Sequence, residues 1–314
     1  MTRRFCASWG GLRGRSSFAG ATEGQDPAPS EVEEDLRFVY VFPMILRPEE
    51  TASINAAFVP AWQAVAGTQK AKSAKYHLVR QTDHARLAGQ LAEQFAIPGK
   101  PTVDADIVRG ISLHDEGWAD FDCGRTRLQA TAACYSQANV ALNEEGKPLS
   151  FLEIKAPDFL LAWCNSIACA EAVAPIAGLI VSGHFRRLGQ FGVSLGTYSE
   201  DDSQQVSEFI AQEDLRWQRL MRQQGRSEKE VGYWTDVLQF CDLLSLYLCC
   251  GAQQSVEFPQ RLGPTGETIR LQVQNAVHVF SPSPFVREAE FSLEAQPYPA
   301  EATGLRARLS WSIH

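Results

Sequence analysis

From Thr82 the inward-facing positions recur at helical spacing. His84, Leu87, Ala88, Leu91, Ala92 and Phe95 are separated by steps of 3, 1, 3, 1 and 3, which is one face of a helix. Thr82 is placed to cap that helix, Asp83 suits the positive end of its dipole, and IPGKP at 97–101 stops it. A second helix from about Asp104 sets Ile107, Ile111, His114 and Asp115 at offsets of 0, 4, 7 and 8. The His-Asp pair is therefore expected near the end of that helix, on or beside its buried face. The same periodicity predicts helices at about 50–66, 158–172, 174–188, 201–223 and 232–250.

Strand patterns occupy the two ends. RFVYVFPMILRP is short, rich in β-branched and aromatic residues and closed by Pro48, and KYHLVRQ at 75–81 is a second candidate. After Gly251, RLGPTGETIRLQVQNAVHVF reads as two strand-like runs around a turn, and EAEFSLEAQPYP and GLRARLSWSIH supply two more. Residues 119–155 carry Gly, Asn, Lys and Pro and read as a long loop with short turns. Residues 1–36 lack apolar periodicity, end in the acidic SEVEEDL and are expected to form a mobile tail. The sum is an α+β fold in one domain over 37–314. A helical core at about 82–250 lies between β segments, the C-terminal one at about 255–314, and the terminal strands meet in one sheet.

Composition narrows the partners. With 45% hydrophobic and 21% charged residues, the chain can bury a large core. Its net charge of -8, with no basic run, argues against nucleic acid and against a polybasic membrane patch, leaving a small molecule as the expected partner. The two most apolar stretches are interrupted by Glu171 and by Gln239 and Asp242, so no membrane span is expected. The first 22 residues have four arginines and no acid, as a transit segment would, but glycines interrupt any amphipathic helix there. Eight cysteines without a C-x-x-C or paired zinc spacing read as buried, reduced thiols of a cytoplasmic protein.

The candidate chemistry centres on ISLHDEGWADFD at 111–122, with four carboxylates, one histidine and one tryptophan in a chain of six histidines. Aspartate is seldom buried unless paired or metal-bound, and Asp242 interrupts the apolar LQFCDLLSLYL. His84, His114, Asp115 and Asp242 together offer the neutral imidazoles and ionised carboxylates that a divalent ion needs. Each alone has a plain alternative, such as a core histidine bonded to backbone or an aspartate answering an arginine. Glu116 and Asp83, adjacent to these residues, are candidates for acid-base work or for orienting the histidines, against the alternative of solvated helix-end carboxylates. Trp118 could wall a pocket or simply pack.

The order of these residues resembles the HD-domain metal-dependent phosphohydrolases: a histidine on a first helix, a His-Asp pair ending a second, and an aspartate on a late apolar helix. More narrowly, QTDHARLAGQLA, ISLHDEGWADFD, the spacer ending KPLSF and LIVSGHFRRL resemble the uncharacterised DUF3891 family from about residue 37 to SPSPF and beyond. The wider resemblance implies an HD-like helical core with His84, His114, Asp115 and Asp242 as metal ligands, Asp115 being the one able to bridge a second ion. His184 falls where two-metal members place an additional histidine. No other histidine lies between 116 and 241, so one ion is expected, with His184 as an outer ligand or a contact to substrate phosphate. Arg80 and Arg186 are the expected phosphate contacts, and Arg187 reads as surface charge. The implied activity is metal-dependent hydrolysis of a small phosphorylated metabolite or nucleotide, with Mn, Fe, Co, Ni, Zn or Mg as the ion. An iron oxygenase and a non-catalytic ligand-binding module are the alternatives.

Overall fold

The computed structural model describes residues 44–50, 57–131, 134–135, 140–274, 277–299 and 306–313. Its elements run β1 (Ile45–Pro48), β2 (Val59–Pro60), α1 (Ala61–Lys70), β3 (Tyr76–Val79), α2 (Gln81–Gln94), α3 (Ala105–Ser112), α4 (Ala119–Asp122), β4 (Cys134–Tyr135) and β5 (Ala141–Leu142). They continue with α5 (Ala156–Val173), α6 (Pro175–Ser194), α7 (Glu200–Gln224), α8 (Glu228–Cys250), β6 (Val256–Glu257), β7 (Arg270–Gln274), β8 (Val277–Ser281), β9 (Ala289–Tyr298) and β10 (Ala307–Ile313). The fold is α+β, about half helical, with the helices in the middle of the chain as their periodicity predicts. All described residues belong to one compact unit spanning Val39–His314.

Strands from both ends of the chain share one mixed sheet in the order β1-β3-β9-β10-β8-β7-β6-β2. The C-terminal hairpins supply its centre and the N-terminal strands its two margins. Most neighbours are antiparallel, but β10 runs parallel to β8 and β2 parallel to β6. The outer strand β1 is tied down by Gln69, whose amide donates to the Leu46 carbonyl (2.7 Å) and accepts from the Leu46 N–H (3.0 Å). That side chain is buried and supplies the pairing a further strand would have given.

α8 is the axis of the helical layer. Ser227 caps its start by accepting from the Glu230 N–H, and Gly251 ends it in the left-handed region at φ 71°. Arg47 donates to the Leu248 carbonyl at that end (2.9 Å). Because α8 packs against α1, α2 and α6 and against β1, it is apolar almost all round, as expected of a central helix. Phe240 joins helices to sheet, with ring centroids 5.9 Å from Phe95 and 4.8 Å from Phe258.

Two glycines set the close approaches that position the candidate site. A Cβ on Gly89 would lie 1.8 Å from Ser112 Oγ, so only glycine lets α2 and α3 come so near. A Cβ on Gly117 would lie 1.9 Å from the Ala162 carbonyl oxygen. The turn after Asp115 thereby seats directly on α5, where the Gly117 N–H donates to Ser166 Oγ (2.9 Å).

Several expectations need correcting. The helix expected at about 50–66 starts at Ala61, after Pro60, and residues 51–56 lie outside the described set. Residues 1–36 and all of RFVYVFP at 37–43 lie outside it too. α3 ends at Ser112, so His114 and Asp115 occupy the turn beyond it rather than its last turn. Thr82 is not the cap of α2: the N-cap position is Arg80, and Thr82 lies inside the helix. Of the described cysteines only Cys241, Cys249 and Cys250 are buried, while Cys134 and Cys169 are exposed. Among the described residues no helix is long and apolar enough to cross a membrane.

Candidate metal centre

His84 reaches the centre from the first turns of α2, His114 and Asp115 from the turn after α3, His184 from α6 and Asp242 from α8. All five are buried. The hydrogen bonds behind the imidazoles decide what the front can do. Ser245 Oγ donates its one hydrogen to the Asp242 carbonyl (2.8 Å), so at His84 Nδ1 (2.9 Å) it must accept. His114 Nδ1 lies 2.7 Å from the Ile111 carbonyl and must also donate. In the neutral form both histidines therefore carry the lone pair on Nε2.

Those two nitrogens face carboxylates. His84 Nε2 is 2.8 Å from Asp115 Oδ2, and His114 Nε2 is 3.2 Å from Asp242 Oδ1 and 3.9 Å from Asp115 Oδ2. Acceptors pointing at acceptors in a buried site need positive charge between them, from protons or from a metal ion. His84, His114 and Asp242 offer donor atoms within 4.8 Å of one another, compatible with ligands that each stand about 2.0–2.2 Å from one ion. The donor set thus fits a divalent metal, and this buried cluster could hold one. His184 adds a third imidazole. Its Nε2 is 3.8 Å from Asp242 Oδ2, its Nδ1 is buried without a hydrogen-bond partner, and its ring stands edge-to-face to His114 at 5.5 Å.

The titration behaviour follows from burial against charge. Burial alone would lower His114, but the charge of Asp115 and the hydrogen bond and charge of Asp242 outweigh it and raise the group to about 9. For His184 burial prevails over Asp242 and lowers it to about 4. Burial alone would raise Asp242, yet the His114 hydrogen bond and the histidine charges hold it at about 2.

The family model described as "Protein of unknown function (DUF3891)" matches residues 69–298, well over half of the chain and all five centre residues. The chain belongs to the DUF3891 family. No curated protein and no solved structure gives a match.

In this DUF3891 chain the remaining candidate residues divide by position. Asp83 accepts from Arg80 Nε (2.6 Å) and Arg86 Nη1 (3.0 Å), and Arg86 Nη2 lies 3.7 Å from Glu116 Oε2. Asp83, Arg80 and Glu116 thus form one charged network beside the centre. Trp118 is elsewhere in character: it is 4% exposed and packs on Phe121 at 5.2 Å in an apolar cluster with Phe159, which is the packing alternative rather than a pocket wall. Arg186 pairs with Asp214 and stands over the Trp217 ring, in a groove that no centre residue lines.

Two residues of this site escaped the sequence reading. Ser245, which fixes the His84 tautomer, sits three positions after Asp242 and so on the same helical face, but a serine there carries no distinctive signal. Asp122 accepts from the Thr82 N–H (3.2 Å) and hydroxyl (2.8 Å), clamping the start of the helix that carries His84. Burial raises its carboxyl to about 7 from an ordinary 3.8, the Thr82 hydrogen bonds offsetting only part. Between those two values the native state holds a proton that the unfolded chain has lost, so this group makes stability fall as pH rises from about 4 to about 7. Asp122→Asn is expected to flatten that decline in melting temperature between pH 5 and pH 8. An unchanged slope would mean that Asp122 is ionised throughout.

Proposed function

We propose that this DUF3891 chain is a metal-dependent phosphohydrolase that acts on a small phosphorylated metabolite or nucleotide. One divalent ion is held by His84, His114, Asp115 and Asp242. The observation that carries the reading is the pair of imidazoles whose Nδ1 hydrogens are committed to Ser245 and to the Ile111 carbonyl, leaving Nε2 aimed at two carboxylates. The order of those four residues is also that of the HD-domain phosphohydrolases. Two imidazoles and two carboxylates suit Mn, Fe, Co, Ni or Zn, and Mg less well. When bound, such an ion lowers the pKa of its water and polarises a phosphoryl oxygen.

The chain's own groups divide the remaining work. Glu116, partly exposed and 3.7 Å from Arg86, is the carboxylate free to exchange a proton with solvent at the rim. Asp83 spends its oxygens on Arg80 and Arg86, so it positions these cations rather than moving a proton. Arg80 and Arg86 offset charge on the phosphate. His184, whose Nδ1 is buried without a hydrogen-bond partner, serves as an outer ligand or a phosphate contact.

The test is phosphate release from nitrophenyl phosphate and a panel of sugar phosphates and nucleotides, by tag-free protein supplied with each metal in turn. The expected result is metal-dependent release that falls by more than about 100-fold in Asp115→Ala. Stoichiometric metal without cleavage of any phosphoester would remove the hydrolase reading. A second reading keeps the ion and changes the reaction to that of an HD-type iron oxygenase, although His184 as the single histidine between 116 and 241 leans against a two-iron centre. It predicts retained iron and oxygen uptake with substrate, without phosphate release.

A further inference from the structure

We propose that the groove between α6, α7 and α8 is a second ligand site, one that binds a small phosphate-bearing anion apart from the histidine-aspartate centre. Arg186, Arg187 and Gln190 of α6, Trp217 of α7 and Thr235 of α8 line it, and no carboxylate does. Its cations are held in place from outside the lining. Arg186 pairs with Asp214, and Arg187 Nη1 donates to Asp236 (2.6 Å) and Gln239 (3.0 Å). Two guanidiniums fixed on one wall present the forked donors that match phosphate oxygens.

One further observation points to a ligand. The floor is left open: a Cβ on Gly232 would meet nothing nearer than Arg187 Nη2 at 3.9 Å. Trp217, with the Arg186 guanidinium 5.4 Å from its ring centroid, supplies an apolar wall for the rest of the ligand. The groove's volume is about 140 Å³, which leaves room for a phosphate group between the guanidiniums and Trp217. The inference does not rest on the reaction proposed for the centre, although α6 and α8 also carry His184 and Asp242.

The probe is inorganic phosphate, titrated calorimetrically into chelator-treated full-length protein at constant ionic strength, with chloride as the control anion. Saturable binding of one phosphate per chain is expected. Affinity should fall roughly tenfold or more in Arg186→Gln, which removes a charge-assisted contact. Gly232→Leu, which fills the groove while leaving every ion pair in place and favours the helix, should weaken binding as much, whereas Asp115→Ala should leave it unchanged. Absence of saturable binding would overturn the proposal. So would binding that survives Gly232→Leu and disappears in Asp115→Ala, because the phosphate would then belong to the centre.

Discussion

Asp242→Ala is expected to abolish tight divalent metal binding while the chain stays folded. The Asp242 carboxylate lies near all three imidazoles, 3.2 Å from His114 Nε2, 3.8 Å from His184 Nε2 and 3.8 Å from the Nδ1 side of His84. Replacing residues that merely support a ligand typically costs about 10–100-fold in metal affinity. Removing this oxygen donor and its charge should therefore cost more than about 100-fold. Asp242→Asn keeps the shape and removes the charge, so it separates the two contributions and should fall in between. Competition against a chromophoric chelator reads both variants. Wild-type affinity in Asp242→Ala would place the metal elsewhere.

Phe240→Ala should be the most damaging substitution in the core. The ring is fully buried and bridges Phe95 at the end of α2 to Phe258 beyond β6, so its loss opens a cavity where helices meet sheet. Truncations of this kind cost about 3–5 kcal/mol. Urea denaturation should show a midpoint lowered to match, with little change in slope. A loss under about 1 kcal/mol would mean that the surroundings collapse onto the site and that α8 is a less rigid axis than its packing implies.

The helical middle was legible because a buried face leaves a period, and α2 and α5 to α8 lie close to where their apolar spacing places them. Asp242 was legible for the same reason: a charge inside LQFCDLLSLYL must have a partner, and the histidines supply it. What escaped depends on contacts distant in sequence. Thr82 is a good capping residue, but the clamp on α2 comes from Asp122, forty positions away. The offsets of His114 and Asp115 suited a helix, yet α3 stops at Ser112 and the turn that follows carries them. Trp118 was equally compatible with a pocket wall and with packing, and only the proximity of Phe121 and Phe159 decides it. Arg186 showed a charge without showing Asp214 and Trp217, which hold it to its own groove. Nor does any local pattern reveal that β10 pairs parallel to β8, since strand order is set by how the sheet closes over the helices.

The central claim is that His84, His114, Asp115 and Asp242 hold one divalent ion. Titrating chelator-treated, tag-free protein with Co(II) tests it most directly, because the visible absorption of the bound ion reports stoichiometry and ligand type together. Saturation at one equivalent, with bands typical of nitrogen and oxygen ligands and no thiolate charge-transfer absorption, is the predicted result. Absorption that never saturates, or a strong thiolate band placing the ion at cysteine, would contradict it.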